Sequence, residues 1–322
     1  ISYHANLPSG PAIVLSGGGA KGAFQVGVLD ALLNKHGVKP SAVVGTSTGA
    51  IQALGVAQQD ISGLLDIWMG IKGNGDIYKQ RAGPLLSALL GEKALYDASP
   101  LKKLLKTFSK PDRLAASGIA MRLGVVSLQS GEFRTIDESV PNIHNWVYAS
   151  CAMPTFFDPL QTSDKQQWVD GGVRDITPLG SALELNPSGV LVIRASPTSN
   201  PASKKDFGGL VSIGLRSAAL LQSEVSRNDL ANTALINDML AARDQLFTAL
   251  EASGISGIAA SKLLLPLDRQ LSKYRFAQVR IIEPDKDFSD TLEFDPGKIK
   301  EAIEAGRAAV KAQWSSIAPL VT

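Results

Sequence analysis

The chain has 322 residues, 44% of them hydrophobic and 19% charged, which is ample apolar material for a core of one or two domains and excludes disorder as its main state. Its 32 basic and 30 acidic residues leave a net charge of +2, so a chain-wide basic field for nucleic acid is excluded. The single cysteine, Cys151, excludes an internal disulfide framework and a Cys-rich zinc site. No run of about 18 uncharged apolar residues occurs, so no membrane-spanning helix is expected. The chain opens at Ile1 rather than Met, which implies that its natural start has been removed and leaves a leader peptide open.

Residues 1–10 are polar and turn-rich and read as a tail or linker, with residues 11–322 expected to form one domain. Ala12 to Ser16 is an apolar run without alternation, the pattern of a strand buried on both faces. Gly17 to Gly22 follows, and Ala23 to Asn34 carries apolar residues at helical spacing. A second strand over Ser41 to Val44 enters Gly45-Thr46-Ser47-Thr48-Gly49, with a helix expected over Ala50 to Ala57. Strand, glycine turn and helix, twice over, predict a parallel α/β sheet, in a three-layer α/β/α sandwich with a mostly parallel centre. Residues 70–100 are glycine-punctuated, with Leu85, Leu86, Leu89 and Leu90 between, and read as an excursion or lid. Ser99 as N-cap and Pro100 in the first turn then start a helix to Phe108. Strands are expected over Ala120 to Ser127, Gly131 to Ile136, Gln167 to Asp170 and Gly189 to Ala195. Residues 205–322 form a largely helical C-terminal part, with a long helix over Leu210 to Ala249. A last strand is expected over Gln278 to Ile282, and a helix from Asp295-Pro296 to Ala309.

Gly45-Thr46-Ser47-Thr48-Gly49 matches G-x-S-x-G between a buried strand and a helix. Such a turn forces the serine into a strained backbone and presents its hydroxyl at the carboxyl edge of the sheet, while Gly45 and Gly49 leave room for close approach. The plainer alternative is a Gly/Thr-rich turn with a chance serine. A nucleophilic serine needs a base. Of the three histidines, His4 lies in the tail and His36 sits at the end of the first helix, where capping is its expected job. His144 is the one histidine that could join a triad, but it precedes Asp170, against the Ser–acid–His order of α/β-hydrolases, and a surface or core role is its expected one. A carboxylate is therefore expected, and Asp170 is the best placed: it ends a buried strand and precedes Gly171-Gly172. Partial burial would raise its pKa toward that of a useful base. An ordinary Asp-Gly turn is the alternative.

Gly17-Gly18-Gly19-Ala20-Lys21-Gly22 fits G-x-G-x-x-G, yet the second strand ends without the acidic residue that a dinucleotide site requires, and the lysine is misplaced for a P-loop. Consecutive glycines at a helix entry instead suit an oxyanion hole, with Lys21 either adding positive charge or simply solvated.

Taken together, the G-G-G-x-K-G loop at 17–22, G-x-S-x-G at 45–49 and D-G-G at 170–172, in this order, resemble the patatin-like phospholipase family. Leu95 to Leu101 (LYDASPL), Ala149 to Pro154 (ASCAMP) and Phe294-Asp295-Pro296 through Gly306 add to the resemblance. It covers residues 11–196 well and the helical part loosely. The resemblance implies a Ser47–Asp170 dyad, an acyl-enzyme on Ser47, backbone N–H groups of the 17–22 loop as oxyanion donors, and no metal or other cofactor. The implied activity is a phospholipase A or lysophospholipase acting on phospholipid or lysophospholipid. An acyltransferase, a nucleotide-binding oxidoreductase and a silent membrane- or partner-binding module are the alternatives.

An enzyme of this kind must reach an interface. Residues 72–113 hold nine Lys/Arg against four Asp/Glu, a pattern that suits a lid or transient contact with an anionic membrane, or else an ordinary solvated helix face. The expected location is cytoplasmic or peripheral on a membrane, with a secreted form and a protein activator left open.

Overall fold

The computed structural model describes residues 10–81, 93–199 and 206–321. An eight-stranded sheet is its centre. In chain order the strands are β1 Ala12–Leu15, β2 Ala42–Gly45, β3 Lys79–Gln80, β4 Tyr96–Asp97, β5 Ala120–Ser127, β6 Phe133–Asp137, β7 Leu160–Gln161, β8 Gln167–Asp170, β9 Val190–Ile193 and β10 Val279–Ile282, with β3 and β4 forming a separate two-stranded ribbon. The main sheet runs β10-β9-β1-β2-β5-β8-β7, and β6 pairs with β5. From β10 to β5 the strands are parallel. The β5–β6, β5–β8 and β7–β8 pairs are antiparallel. β1, β2 and β9 are buried at every position, as unalternating apolar runs require.

The helices are α1 Ala23–Leu29, α2 Thr48–Ala57, α3 Ile61–Gly70, α4 Ser99–Phe108, α5 Pro111–Ser117, α6 Ile143–Cys151, α7 Leu179–Leu183, α8 Leu210–Ala252, α9 Gly257–Leu271 and α10 Pro296–Val321. They cover the two sheet faces unequally. Ile13, Leu15 and Val43 point into the larger core, with α1 to α4, α6 and α10. Ala12, Val14, Ala42 and Val44 point into a small core closed by α7 and by Leu230 of α8. The expected three layers are present, one of them thin. α1 and α10 pack backbone to backbone: a methyl group on Gly27 would stand 1.9 Å from the Ile303 carbonyl, and one on Gly306 would stand 2.2 Å from that of Phe24.

Several local expectations change. Ser99 is the first residue of α4 rather than its N-cap: the Asp97 carboxylate accepts both the Ser99 N–H at 2.9 Å and its hydroxyl at 2.8 Å. α10 continues past Ala309 to Val321, because nothing after Ala309 breaks a helix until Pro319 in the final turn. Among the described residues five helices were not individually anticipated: α3, α5, α6, α7 and α9, the last with Pro266 inside it. Of the excursion at 70–100, the described flanks are pinned, by the β3–β4 pairing and by Arg81, whose guanidinium donates to both Asp158 carboxylate oxygens. Leu85, Leu86, Leu89 and Leu90 lie outside the described residues, as does most of the 1–10 tail.

Candidate active site

Strand register brings the serine and the aspartate together. β5 carries β6 along one edge, at Arg122 to Val126. The opposite edge is shared: β2 occupies it from Ala120 to Leu123 and β8 from Val125 to Ser127. The two strands approach along that edge from opposite directions. Gly45 pairs with Leu123, so Ser47, two residues on, is level with Val125, whose partner in β8 is Asp170. The carboxyl ends of β2 and β8 meet over Gly124. No larger residue fits there: a Cβ would stand 2.7 Å from the Thr46 hydroxyl oxygen.

Ser47 has φ 58° and ψ −128°, a conformation that costs a residue other than glycine on the order of 1–3 kcal/mol. Its backbone is held from both sides by α6. The Ser47 N–H donates to Ser150 Oγ at 3.0 Å, and the Cys151 thiol donates to the Ser47 carbonyl at 3.1 Å. The Ser150 hydroxyl in turn donates a hydrogen bond to the Gly124 carbonyl at 2.7 Å, tying the turn to β5. Gly49 is needed because a methyl group there would lie 2.3 Å from the Leu15 carbonyl oxygen. Burial pushes the Cys151 thiol well above its usual range, so it serves here as a neutral donor.

The loop from Gly17 to Gly22 passes beside this turn, and the amides of Gly17, Ala20 and Lys21 are already engaged. Gly17 N–H donates to Ile176 O at 2.9 Å, Ala20 N–H to Thr291 O at 2.9 Å and Lys21 N–H to Gly18 O at 3.3 Å. The N–H groups of Gly18 and Gly19 find no acceptor among the described residues. Both glycines line the cavity that contains Ser47 and Asp170. Gly19 has φ 58° and no room for a side chain, since a Cβ would meet the Thr291 carbonyl oxygen at 2.0 Å. Gly22 packs against Thr48, where a Cβ would stand 2.4 Å from the hydroxyl oxygen. Lys21 departs from both expectations: its ammonium pairs with Asp287 at 2.8 Å in a largely buried bridge.

Asp170 is 2% exposed. Burial pushes its carboxyl from the ordinary 3.8 up to about 7, against the lowering influence of the Ser47 side chain and of the Gly172 N–H, which donates to it at 2.7 Å. Its own N–H donates to Ala152 O at 3.0 Å. Gly171 is forced by contact, because a Cβ would stand 2.4 Å from the Gly124 carbonyl oxygen. At Gly172 the obstruction is Ile176, 2.4 Å away. A carboxyl that binds its proton more tightly folded than unfolded favours folding below about pH 4 and progressively less as pH rises to about 7. Above that the penalty of the buried charge is on the order of 4 kcal/mol.

Ser47, Asp170, Gly18 and Gly19 open into one cavity whose remaining walls are mostly apolar, including Ile67, Trp68, Leu104, Met153, Phe157 and Phe294. Neither described histidine lines it. His36 stacks on Trp314 with ring centres 3.6 Å apart, and His144 lies elsewhere on α6. No group of three or more His, Cys, Asp or Glu residues able to hold a metal occurs among the described residues. Sequence reasoning singled out the ASCAMP segment without assigning Ser150 and Cys151 a task. It missed Thr291 and Leu292, which close the cavity from the far end of the chain and carry no motif, and it singled out Phe294 only at the entry to the last helix, with no place in the cavity.

This is a mostly parallel α/β fold with a strained serine and a buried aspartate at the floor of an apolar cavity. The family model for patatin-like phospholipase matches residues 13–183, more than half of the chain. The chain belongs to the patatin-like phospholipase family, a family of lipid hydrolases. Among solved structures it is similar to VipD from Legionella pneumophila, at 17% identity and a TM-score of 0.46, over 96% of this chain and 67% of that one. No curated protein sequence matches it.

Two predictions follow from the geometry. Ser150→Ala leaves the buried Ser47 N–H without an acceptor, and should lower unfolding free energy by about 1–3 kcal/mol in urea titration, with at least a tenfold loss of serine reactivity. Asp170→Asn keeps an oxygen for the Gly172 N–H and removes the buried charge, so its thermal midpoint should exceed the native value at pH 8, and the gain should shrink toward pH 4.

Proposed function

We propose that the chain is a lipid acyl hydrolase of phospholipase A or lysophospholipase type, working through a Ser47–Asp170 dyad. Ser47 Oγ attacks the ester carbonyl carbon while its proton passes to the Asp170 carboxylate. The carbonyl oxygen becomes an oxyanion facing the unengaged N–H groups of Gly18 and Gly19, where each donor is worth about 3–4 kcal/mol of transition-state stabilisation. Collapse breaks the ester C–O bond, and Asp170 returns the proton to the departing alcohol. A water then attacks the acyl carbon on Ser47 as Asp170 accepts its proton, the bond to Ser47 Oγ breaks, and Asp170 returns that proton to Oγ as the fatty acid leaves. The observation that supports this reading most is that a strained serine and a buried carboxyl, raised to about 7, line one apolar cavity. A carboxylate with that proton affinity accepts a serine proton more readily than an exposed aspartate can. The apolar walls suit an acyl chain, and exclusion of water strengthens the field of the two amides. No step uses a metal.

Intact mass after treatment with a fluorophosphonate tests the dyad without a choice of substrate. One adduct is expected on the native chain, absent in Ser47→Ala and strongly reduced in Asp170→Asn. The native labelling rate should rise with pH through about 7, as Asp170 loses its proton and becomes the competent base. No adduct, with or without anionic liposomes, would refute the dyad and favour a silent binding module.

The membrane contact rests on α4. Leu101, Leu105 and Phe108 face the core, while Lys102, Lys103 and Lys106 are exposed, Lys102 with its ammonium 4.3 Å above the Tyr148 ring. Among the described residues no helix is long and apolar enough to cross a membrane. Changing the three lysines to glutamate should reduce flotation with anionic vesicles severalfold. Unchanged flotation would remove α4 from the contact.

A further inference from the structure

Gln222 reaches the serine cavity from the opening turns of α8, beyond the residues that the family model matches. Among the side chains that wall a mostly apolar space it brings an amide, and that amide makes no hydrogen bond among the described residues. It stands beside the turn that follows Asp170. A Cβ placed on Gly172 would lie 3.0 Å from Gln222 Nε2 and 3.0 Å from Asp170 Oδ1. Two polar atoms that close to one point are within reach of a single bridging water, which stands about 3 Å from each of its partners.

A polar route leads to the same place. On the other side of the glycine loop lies a recess whose walls include the hydroxyls of Ser16, Thr177, Ser196, Ser223 and Ser226. Gly18, Gln222 and Thr291 line both this recess and the cavity of Ser47, so the two spaces adjoin at Gln222. Arg194, also in the recess wall, is 3% exposed, and its Nε–H finds no acceptor among the described residues. A buried donor of that kind is ordinarily met by water. An acyl chain on Ser47 occupies the apolar cavity, which leaves the recess as the polar approach to Asp170.

We infer that Gln222 holds the deacylating water between its side-chain amide and the carboxylate of Asp170, and that the polar recess supplies that water. The inference rests on the proposed Ser47–Asp170 dyad. In the acyl-enzyme the Gln222 N–H donates to the water oxygen, and the water donates one proton toward Asp170. A lone pair on the water oxygen remains for the acyl carbon. The new C–O bond forms as that proton passes to Asp170. When the bond from the acyl carbon to Ser47 Oγ breaks, Asp170 returns the proton to Oγ. Gln222 neither gains nor loses a proton. It acts in deacylation alone, because the attack of Ser47 on the ester needs no water at that point.

A p-nitrophenyl ester of a medium-chain fatty acid separates the two steps. Release of p-nitrophenolate in the first turnover reports acylation. The ratio of acylated to free chain at saturating ester, read by intact mass after acid quench, reports acylation against deacylation. In Gln222→Leu the first-turnover release should stay within about twofold of native, while the ratio of acylated to free chain rises about tenfold or more. Gln222→Met, equally without a donor, should do the same if Gln222→Leu does not fold. Arg227→Gln, exposed on the same helix and paired with Glu224, should change neither reading. No rise in the ratio overturns the role of Gln222 and leaves the Ser47 reading intact. A fall in first-turnover release as large as the fall in turnover overturns it too, because the loss then lies at Ser47 or Asp170 and not at the water. No release from the native chain, together with no fluorophosphonate adduct on Ser47, overturns the reading beneath it.

Discussion

The structure depends on two strands sharing one edge of β5. β2 ends at the level of Leu123, and β8, entering from the far end of β5, ends at the level of Val125. Each strand leaves the sheet where it meets the other, so the serine that follows β2 and the aspartate that ends β8 face each other with only Gly124 between their backbones. Much of the local sequence answers to this crowding. Gly45, Gly49, Gly124 and Gly171 each lie where a methyl group would come within 2.7 Å of a neighbouring atom. Ser150 serves the same junction, taking the Ser47 N–H and binding the Gly124 carbonyl with one hydroxyl.

The same junction carries an energetic conflict. A carboxyl 2% exposed among aliphatic and aromatic side chains resists ionisation, and the Gly172 N–H and the Ser47 side chain offset that resistance only in part. The fold tolerates the group where a proton acceptor near neutrality is useful. Cys151 shows the other consequence of the apolar surroundings: its thiol stays protonated and can donate to the backbone of the serine turn. A single buried environment thus tunes the aspartate upward and keeps the thiol inert.

The C-terminal half completes what the first half begins. Thr291 accepts the Ala20 N–H and crowds Gly19, fixing the glycine loop from outside, and Asp287 draws Lys21 away from the serine cavity. α8 runs for 43 residues with Ser226 as its one buried residue, joined to Thr177 through their hydroxyls at 2.7 Å. Its opening turns wall the polar recess. Beyond them, Leu221 and Leu235 are 70% and 58% exposed, while Leu230 packs on the small core and Arg243 pairs with Asp268 of α9 at 2.7 Å.

The sequence by itself determined the parallel centre of the sheet, because unalternating runs such as Ala12 to Leu15 can only be buried on both faces. It also located the serine turn, the glycine loop and the D-G-G aspartate, because glycines at fixed offsets report local backbone demands that a short window of sequence carries. It could not show that β8 runs antiparallel to β5, nor that β2 and β8 share an edge, since these pairings join residues 41 to 78 positions apart. For the same reason only the tertiary structure selected Gly18 and Gly19 from the loop: the Gly17 and Ala20 amides are taken by Ile176 and Thr291, partners from distant segments. The aspartate's proton affinity was likewise decided by burial, which belongs to the assembled core and to no local stretch of chain.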